Sequence, residues 1–408
     1  MDNSAGFRSS PIGIFSFFRS APAPTEERAV HVRPANFIEA PPFAGEYISN
    51  SNADKNTAVS RAIQLISNDM AKVPLRVMRR TGEGAVEDTS SGIWRLFDQS
   101  PNVEQSGFEF RRLITSSYCK TGNACCLIQK NGRGDVLQLL PLDTGSMSIV
   151  VDEENGTYNY QHAILGLLEP EEVLHFRFGL VDETGVWAYS PIQRARESLS
   201  LAKAQEKAGA SVYRNAATPR MAIKHPGSLS DKASARLSEQ FSRAHAGPES
   251  AGRAILLEEG MNCEVLPALE LESQQYIAGR EFQIQEVCRI FGIPAPLLSD
   301  LSRATYSNVQ SLMRAYIDGC LSHHAALWAA EIRYKLLAPD QFIDIDLSYV
   351  QRGSFQDEIG SLSTAINSGF MTPNEARKRL NLQPLPGLDS PLLRKDTGVV
   401  GEEDTDEL

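Results

Sequence analysis

The chain has 408 residues, 42% hydrophobic and 22% charged, which is the make-up of a folded globular protein and excludes a chain disordered throughout or a collagen-like repeat. At roughly 150 residues per domain it holds two or three units. Forty Lys and Arg against 51 Asp and Glu give a net charge of −11, the wrong sign for a protein that grips nucleic acid over its whole surface.

Residues 1–45 are predicted to be a flexible arm, because the composition as far as Pro42 is rich in Pro, Ala and Arg. The apolar run at 11–18 and Ala21-Pro22-Ala23 imitate a secretion signal. Arg19 interrupts that run, however, and Asp2 sits where only basic charge belongs. The first helix is predicted over 57–71, with Ala58, Ala62, Leu65 and Ile66 at helical spacing. Pro74 stops it, and the alternation of Leu75 and Val77 predicts a strand.

Three helix starts are explicit: Ser106 with Glu109, Ser190 with Gln193, and Thr372 with Glu375 each follow the capping-box spacing. In the last two, Pro191 and Pro373 take the first helical position, where a missing amide proton costs nothing. Ser228 with Asp231 is a weaker fourth.

Between 124 and 178 short strands are expected. Segments 124–130 and 136–142 flank Asn131-Gly132-Arg133-Gly134, and 146–151 and 158–162 flank Asn155-Gly156; both Asn-Gly pairs read as hairpin-turn signals in which either residue tolerates positive φ. Arg133-Gly134-Asp135 is then turn chemistry and not an adhesion signal. A single helix is predicted from 190 to 215, lined with Ala195, Ala202, Ala204, Ala208, Gly209 and Ala210. An insert follows, with strands near 221–224, 254–257 and 263–266 and a helix near 230–244. A helix over 271–291 places Ile277, Ile284, Cys288 and Phe291 on one face until Gly292-Ile293-Pro294 stops it. Residues 297–308 have no periodicity. A helix from 307 to 337 comes next, about 45 Å long. A strand containing Phe342, Ile343, Ile345 and Leu347 precedes two short helices over 355–367 and 372–380.

The chemistry of catalysis is not visible. There is no phosphate-cradling G-x-x-x-x-G-K-[ST], no G-x-S-x-G and no H-E-x-x-H. His323 and His324 are adjacent, hence on different helix faces, and cannot chelate one ion. Asp344 and Asp346 share a strand face in this reading, which also suits solvent. The six cysteines, Cys119, Cys125, Cys126, Cys263, Cys288 and Cys320, form no C-x-x-C and read as reduced thiols. No stretch is long and apolar enough to span a membrane as a helix. No enzyme, cofactor or metal site is expected.

Five strings resemble the portal, or head–tail connector, protein of tailed bacteriophages of the lambdoid type. They are AVSRAIQLISNDMAKVPLRVMR at 58–79, FEFRRLITSSYCKTGNACCL at 108–127, SPIQRARESLSL at 190–201, FGIPAPLLSDLSRATYSN at 291–308 and GFMTPNEARKRLNLQPLPG at 369–387. The likeness covers about 58–389. It implies an α+β portal fold: arm 1–45, mixed α/β wing 46–189, first stem helix 190–218, clip 219–269, second stem helix 270–292, tunnel loop 293–308, long helix and strand returning to the wing 309–353, helical crown 354–395, and an acidic disordered tail 396–408. It further implies a twelvefold ring at one capsid vertex of the virion, assembled in the bacterial cytoplasm. Double-stranded DNA would pass through it. The partners would be the terminase large subunit, the major capsid protein and the head–tail adaptor, with no membrane.

The tunnel-loop residues expected to face DNA are Ser299, Asp300, Leu301, Ser302, Arg303, Ala304, Thr305 and Tyr306. An acidic chain suits a passage in which DNA must slide, because many neutralised phosphates would hold it. The portal of a domesticated gene transfer agent is an equivalent reading. Two others share the composition: a metal-dependent, nuclease-like enzyme with carboxylates gathered from distant loops, and a self-assembling α+β protein unrelated to DNA.

Overall fold

The computed structural model describes residues 31–34, 49–50, 52–82, 84–152, 155–215, 221–224, 227, 231–232, 234–236, 238–239, 262–265, 273–298, 306–350, 355–380 and 382–391. The first described strand is β1 (His31–Pro34). Helix α1 (Thr57–Lys72) starts where the Asn56 side chain accepts from the amides of Ala58 and Val59, satisfying two otherwise orphaned donors. Val59, Ala62, Ile63, Ile66 and Met70 form its buried stripe, and the chain leaves helical geometry at Val73, ahead of Pro74. β2 (Leu75–Thr81) alternates as expected, with Leu75 and Val77 buried, and pairs antiparallel with β3 (Gly84–Glu87).

After the short helix α2 (Gly92–Asp98) comes α3 (Gly107–Thr121). Its capping box is complete: Ser106 Oγ accepts from the Glu109 amide at 3.3 Å, and Glu109 accepts from the Ser106 amide at 3.2 Å. Phe97, Phe110, Ile114 and Tyr118 join the α1 stripe in the principal core. Gly122 ends α3 with φ 82°.

β4 (Asn123–Lys130) and β5 (Val136–Leu142) form the expected hairpin, but the Asn131-Gly132 pair is not where its left-handed residue falls. The left-handed residue is Gly134, φ 91°. Asn131 Oδ1 accepts from the amides of Arg133 and Asp135 at 2.8 and 2.9 Å, which closes a longer loop and leaves a register shift at Gln129/Lys130. β6 (Met147–Asp152) and β7 (Thr157–His162) do turn at Gly156, φ 64°. With β8 (Gly166–Leu168) and β9 (Val173–Arg177), the strands give one sheet ordered β1-β6-β7-β8 and another ordered β5-β4-β9. The arm is therefore not loose at 31–34. Those residues complete the hydrogen bonds at the outer edge of β6, a long-range pairing that local composition cannot reveal.

The helix expected from 190 to 215 is broken. Ser190 caps α4 (Pro191–Arg194), Ala195 opens to φ −89°, ψ 10°, and α5 (Arg196–Asn215) then restarts the ladder. β10 (Met221–Lys224) pairs with β11 (Asn262–Val265), and residues 231–232, 234–236 and 238–239 are helical. The expected strand at 254–257 and the Ser228 cap lie outside the described residues. α6 (Ser273–Phe291) packs beside α5, where a Cβ on Gly279 would come 3.4 Å from Gln205 Oε1.

α7 (Ala295–Leu298) is a single turn. α8 (Tyr306–Tyr316), a π-helical segment (Ile317–Leu321) and α9 (Ser322–Leu336) run as one continuous helix, as the long helix was expected to do. β12 (Gln341–Ile345) adds to β2, giving the order β12-β2-β3. It ends at Ile345, so Leu347 is not in a strand and Asp344 and Asp346 share no strand face. Asp346 instead turns out of the strand to accept from the Ser348 amide. α10 (Phe355–Asn367) and α11 (Pro373–Arg379) follow, the latter opened by the Thr372–Glu375 capping box. Asn374, buried, pins the chain beyond α11 by donating to Leu385 O and Asp389 Oδ1 and accepting from the Leu385 amide.

Candidate functional site

Of the residues expected to face DNA, Ser299, Asp300, Leu301, Ser302, Arg303, Ala304 and Thr305 lie outside the described residues, and Tyr306 is the first residue of α8. The loop expected over 293–308 is shorter than that span. Residues 295–298 are helical because prolines at and just before a helix start lose no hydrogen bond there. The Leu297 amide bonds to Pro294 O at 3.0 Å, and Leu297 and Leu298 pack against the principal core. At the other end, 306–308 already belong to α8.

The described part of the site is therefore the root from which residues 299–305 depart. α6 delivers buried Phe291, after which Gly292 reverses the chain with φ 67° and the Ile293 amide bonds back to Cys288 O at 3.1 Å. A Cβ on Gly292 would find only Gly319 O, at 3.8 Å, so backbone conformation and not space asks for glycine. The Cys320 thiol donates to Phe291 O at 3.2 Å, tying the end of α6 to the π segment. One turn earlier, Tyr316 OH donates to Asp69 Oδ2 at 3.2 Å, and Asp69 also pairs with Lys72 at 3.2 Å. The edge of the loop at α6 is thus tied to the middle of the long helix, and that helix is tied to α1 at Tyr316.

The π segment was missed from sequence, although it left a signal. The buried pairs Tyr316/Ile317, Cys320/Leu321 and His324/Ala325 recur at steps of four. An α-helix advances about 100° per residue, so each such step drifts by about 40°.

The remaining polar burial is structural. His175 is held on both ring nitrogens: Nε2 donates to Asn123 Oδ1 at 3.0 Å, and Nδ1 accepts from Tyr160 OH at 2.9 Å. The tautomer follows from Asn123, whose Oδ1 accepts from the Ala188 amide at 2.9 Å while its Nδ2 donates to Ala188 O at 2.7 Å. Glu331 accepts from the His175 amide at 2.9 Å and pairs with Lys335 at 3.0 Å. Tyr118 OH donates to His324 Nδ1 at 3.1 Å and accepts from Trp328 Nε1 at 3.3 Å.

Burial holds His175 well below the usual imidazole range and His324 down to about 3, so both are neutral. Cys119, Cys125, Cys126, Cys288 and Cys320 are free and buried, and burial pushes each thiol up, away from thiolate chemistry. Among the described residues no three His, Cys, Asp or Glu side chains gather as a metal site, and no helix is long and apolar enough to cross a membrane. What this geometry does is root the chain after Leu298 against the core and the long helix.

The model of the phage portal protein family matches residues 57–381, most of the chain. The chain belongs to this family. The portal protein of Enterobacteria phage HK97 is 28% identical over 345 residues, covering 82% of this portal chain and 80% of that protein. Two solved structures share its mixed α+β portal fold. An HK97-family phage portal protein from Corynebacterium diphtheriae superposes with a TM-score of 0.56 at 17% identity, over 75% of this chain and 97% of that one. A chain from the neck of a native gene transfer agent particle, computed with C12 symmetry, gives 0.55 at 22% identity, over 82% and 93%.

Proposed function

We propose that this portal chain forms a twelvefold ring at one capsid vertex, seated among major capsid protein subunits. There it is the conduit for double-stranded DNA during packaging and ejection. The same ring docks the terminase large subunit and afterwards the head–tail adaptor, and it carries no catalysis of its own. In this reading the broken pair α4–α5 and α6 are the stem, 219–269 the clip, 299–305 the tip of the tunnel loop, and the region from 354 the crown.

The observation that supports it most is the loop root: seven residues leave Leu298, which packs against the core, and return at Tyr306, the start of α8. Seven residues span at most ~25 Å of contour. Arg303 is its only base and Asp300 its only acid, a pairing that steers DNA weakly instead of clamping it.

Native mass spectrometry should give about 540 kDa, twelve times the 44.8 kDa chain. Arg303→Ala, or removal of Ser302, Arg303 and Ala304, should leave the ring assembled while lowering DNA packaging or retention. Parental levels of packaged DNA in both variants would remove the loop from DNA contact, and a protein that stays monomeric at all concentrations would remove the ring.

A further inference from the structure

A recess of about 330 Å³ lies beside the loop root, bounded by Leu298, by α5 at Glu206, by α6 at Arg280 and Gln283, and by the start of α1 at Lys55 and Arg61. Lys55, Arg61 and Arg280 come from three different elements and are all exposed. Among the described residues none of the three has an ion-pair partner, whereas Lys72, Arg79, Lys120, Lys224, Arg289 and Lys335 each do. Glu206 is the one acid on its wall. Three cations against one carboxylate make this a local excess of positive charge on a chain of net charge −11.

The end of α1 does not itself supply that charge. Asn56 already occupies the amides of Ala58 and Val59, so the attraction belongs to the side chains. Two guanidinium groups and an ammonium, none of them in an ion pair among the described residues, fit phosphate oxygens, which a guanidinium fork contacts in pairs.

We propose that this recess takes backbone phosphates of double-stranded DNA, making it a second contact built on rigid helices behind the loop. The proposal rests on the reading of the chain as a DNA conduit. Glu206 limits the affinity, so the contact slows DNA without arresting it.

The test uses assembled rings, verified by native mass, and a fluorescent duplex titrated at roughly 50 and 200 mM salt. Each neutralised phosphate contributes about 0.9 to the salt slope, so freeing one phosphate narrows the affinity ratio between those salts about 3.5-fold. Rings of the double variant Arg61→Ala/Arg280→Ala should show at least that narrowing and weaker binding at the lower salt. Rings of Glu206→Gln should bind more tightly than the parent. Unchanged affinity and slope in intact double-variant rings overturn the proposal. So does failure of that variant to assemble, which would assign the recess to the joint between subunits. Arg303→Ala, measured alongside, separates the two sites: an effect of Arg303 alone keeps the loop and removes the recess, and an effect of the double variant alone does the reverse.

Discussion

The two buried histidines make the fold acid-sensitive in a way that can be counted. His175 is 2% exposed and His324 1%, and both are neutral in the folded chain. Unfolding releases them to the ordinary value of 6.5. Their folded values are depressed, so stability is complete above pH 6.5 and falls as the unfolded state takes up protons below it. For His324 the loss continues until about pH 3, its folded value. One pH unit is worth about 1.4 kcal/mol per group, so moving from pH ~7 to ~5 costs about 2 kcal/mol for His324, and His175 adds to the loss in the same direction.

Two tryptophans report the two sites. The Trp187 ring lies 5.1 Å from His175, and Trp328 donates to the Tyr118 hydroxyl that holds His324. Urea unfolding of the protein, followed by tryptophan fluorescence across that range, should show midpoints falling with acid. His175→Asn and His324→Asn should each be less stable at neutral pH, yet each should flatten the slope, His324→Asn by about 1.4 kcal/mol per pH unit. A parental midpoint that is flat from pH ~7 to ~5, or variants that keep the parental slope, would refute the argument.

Two glycines with similar backbone conformation should respond differently to alanine. Gly292→Ala should cost about 1–2 kcal/mol from positive φ alone, since the nearest atom to its Cβ is 3.8 Å away. Gly122→Ala meets Tyr189 O at 2.5 Å as well, a backbone atom that cannot swing aside, and should leave little folded protein; equal yields and midpoints would show that the clash is relieved. Asn374→Ala should cost about 1 kcal/mol locally, because the groups it satisfies at Leu385 and Asp389 lie on exposed residues that water can reach. Hydrogen exchange should accelerate over 382–391 while α1 is unaffected, and unchanged protection there would count against its role as the pin.

What could be read in the sequence was whatever local chemistry decides. The caps at Ser106, Ser190 and Thr372 were visible because each is a hydrogen bond across three residues, and all three side chains accept as spaced. The strands β10 and β11, though not their pairing, and the long helix were visible from pattern and length. Pairings between distant segments were not. His31–Pro34 carries nothing that names β6 as its partner. Asn131-Gly132 was misjudged because the Asn131 side chain reaches two amides and moves the left-handed residue on to Gly134. The opening at Ala195 left no apolar trace, since alanine suits either geometry. The recess at Lys55, Arg61 and Arg280 could not be seen in advance, because 225 positions separate its outermost bases and only the packing of α6 near α1 joins them.

The π segment has one further consequence, for insertions and deletions. Five turns of α-helix consume about 18 residues at 3.6 per turn. The core-facing side of the long helix takes 19 to pass from Met313 to Ile332, and the wide turn at Ile317–Leu321 absorbs the surplus. Deleting Gly319 would leave the α9 side of the helix seated and turn everything before it by about 100°. Tyr316 would swing away from Asp69, and the start of α8 at Tyr306 would turn with it. The orientation of that helix start is thus written in the number of residues between it and Trp328, and a one-residue deletion should disturb it as fully as a substitution at Tyr316.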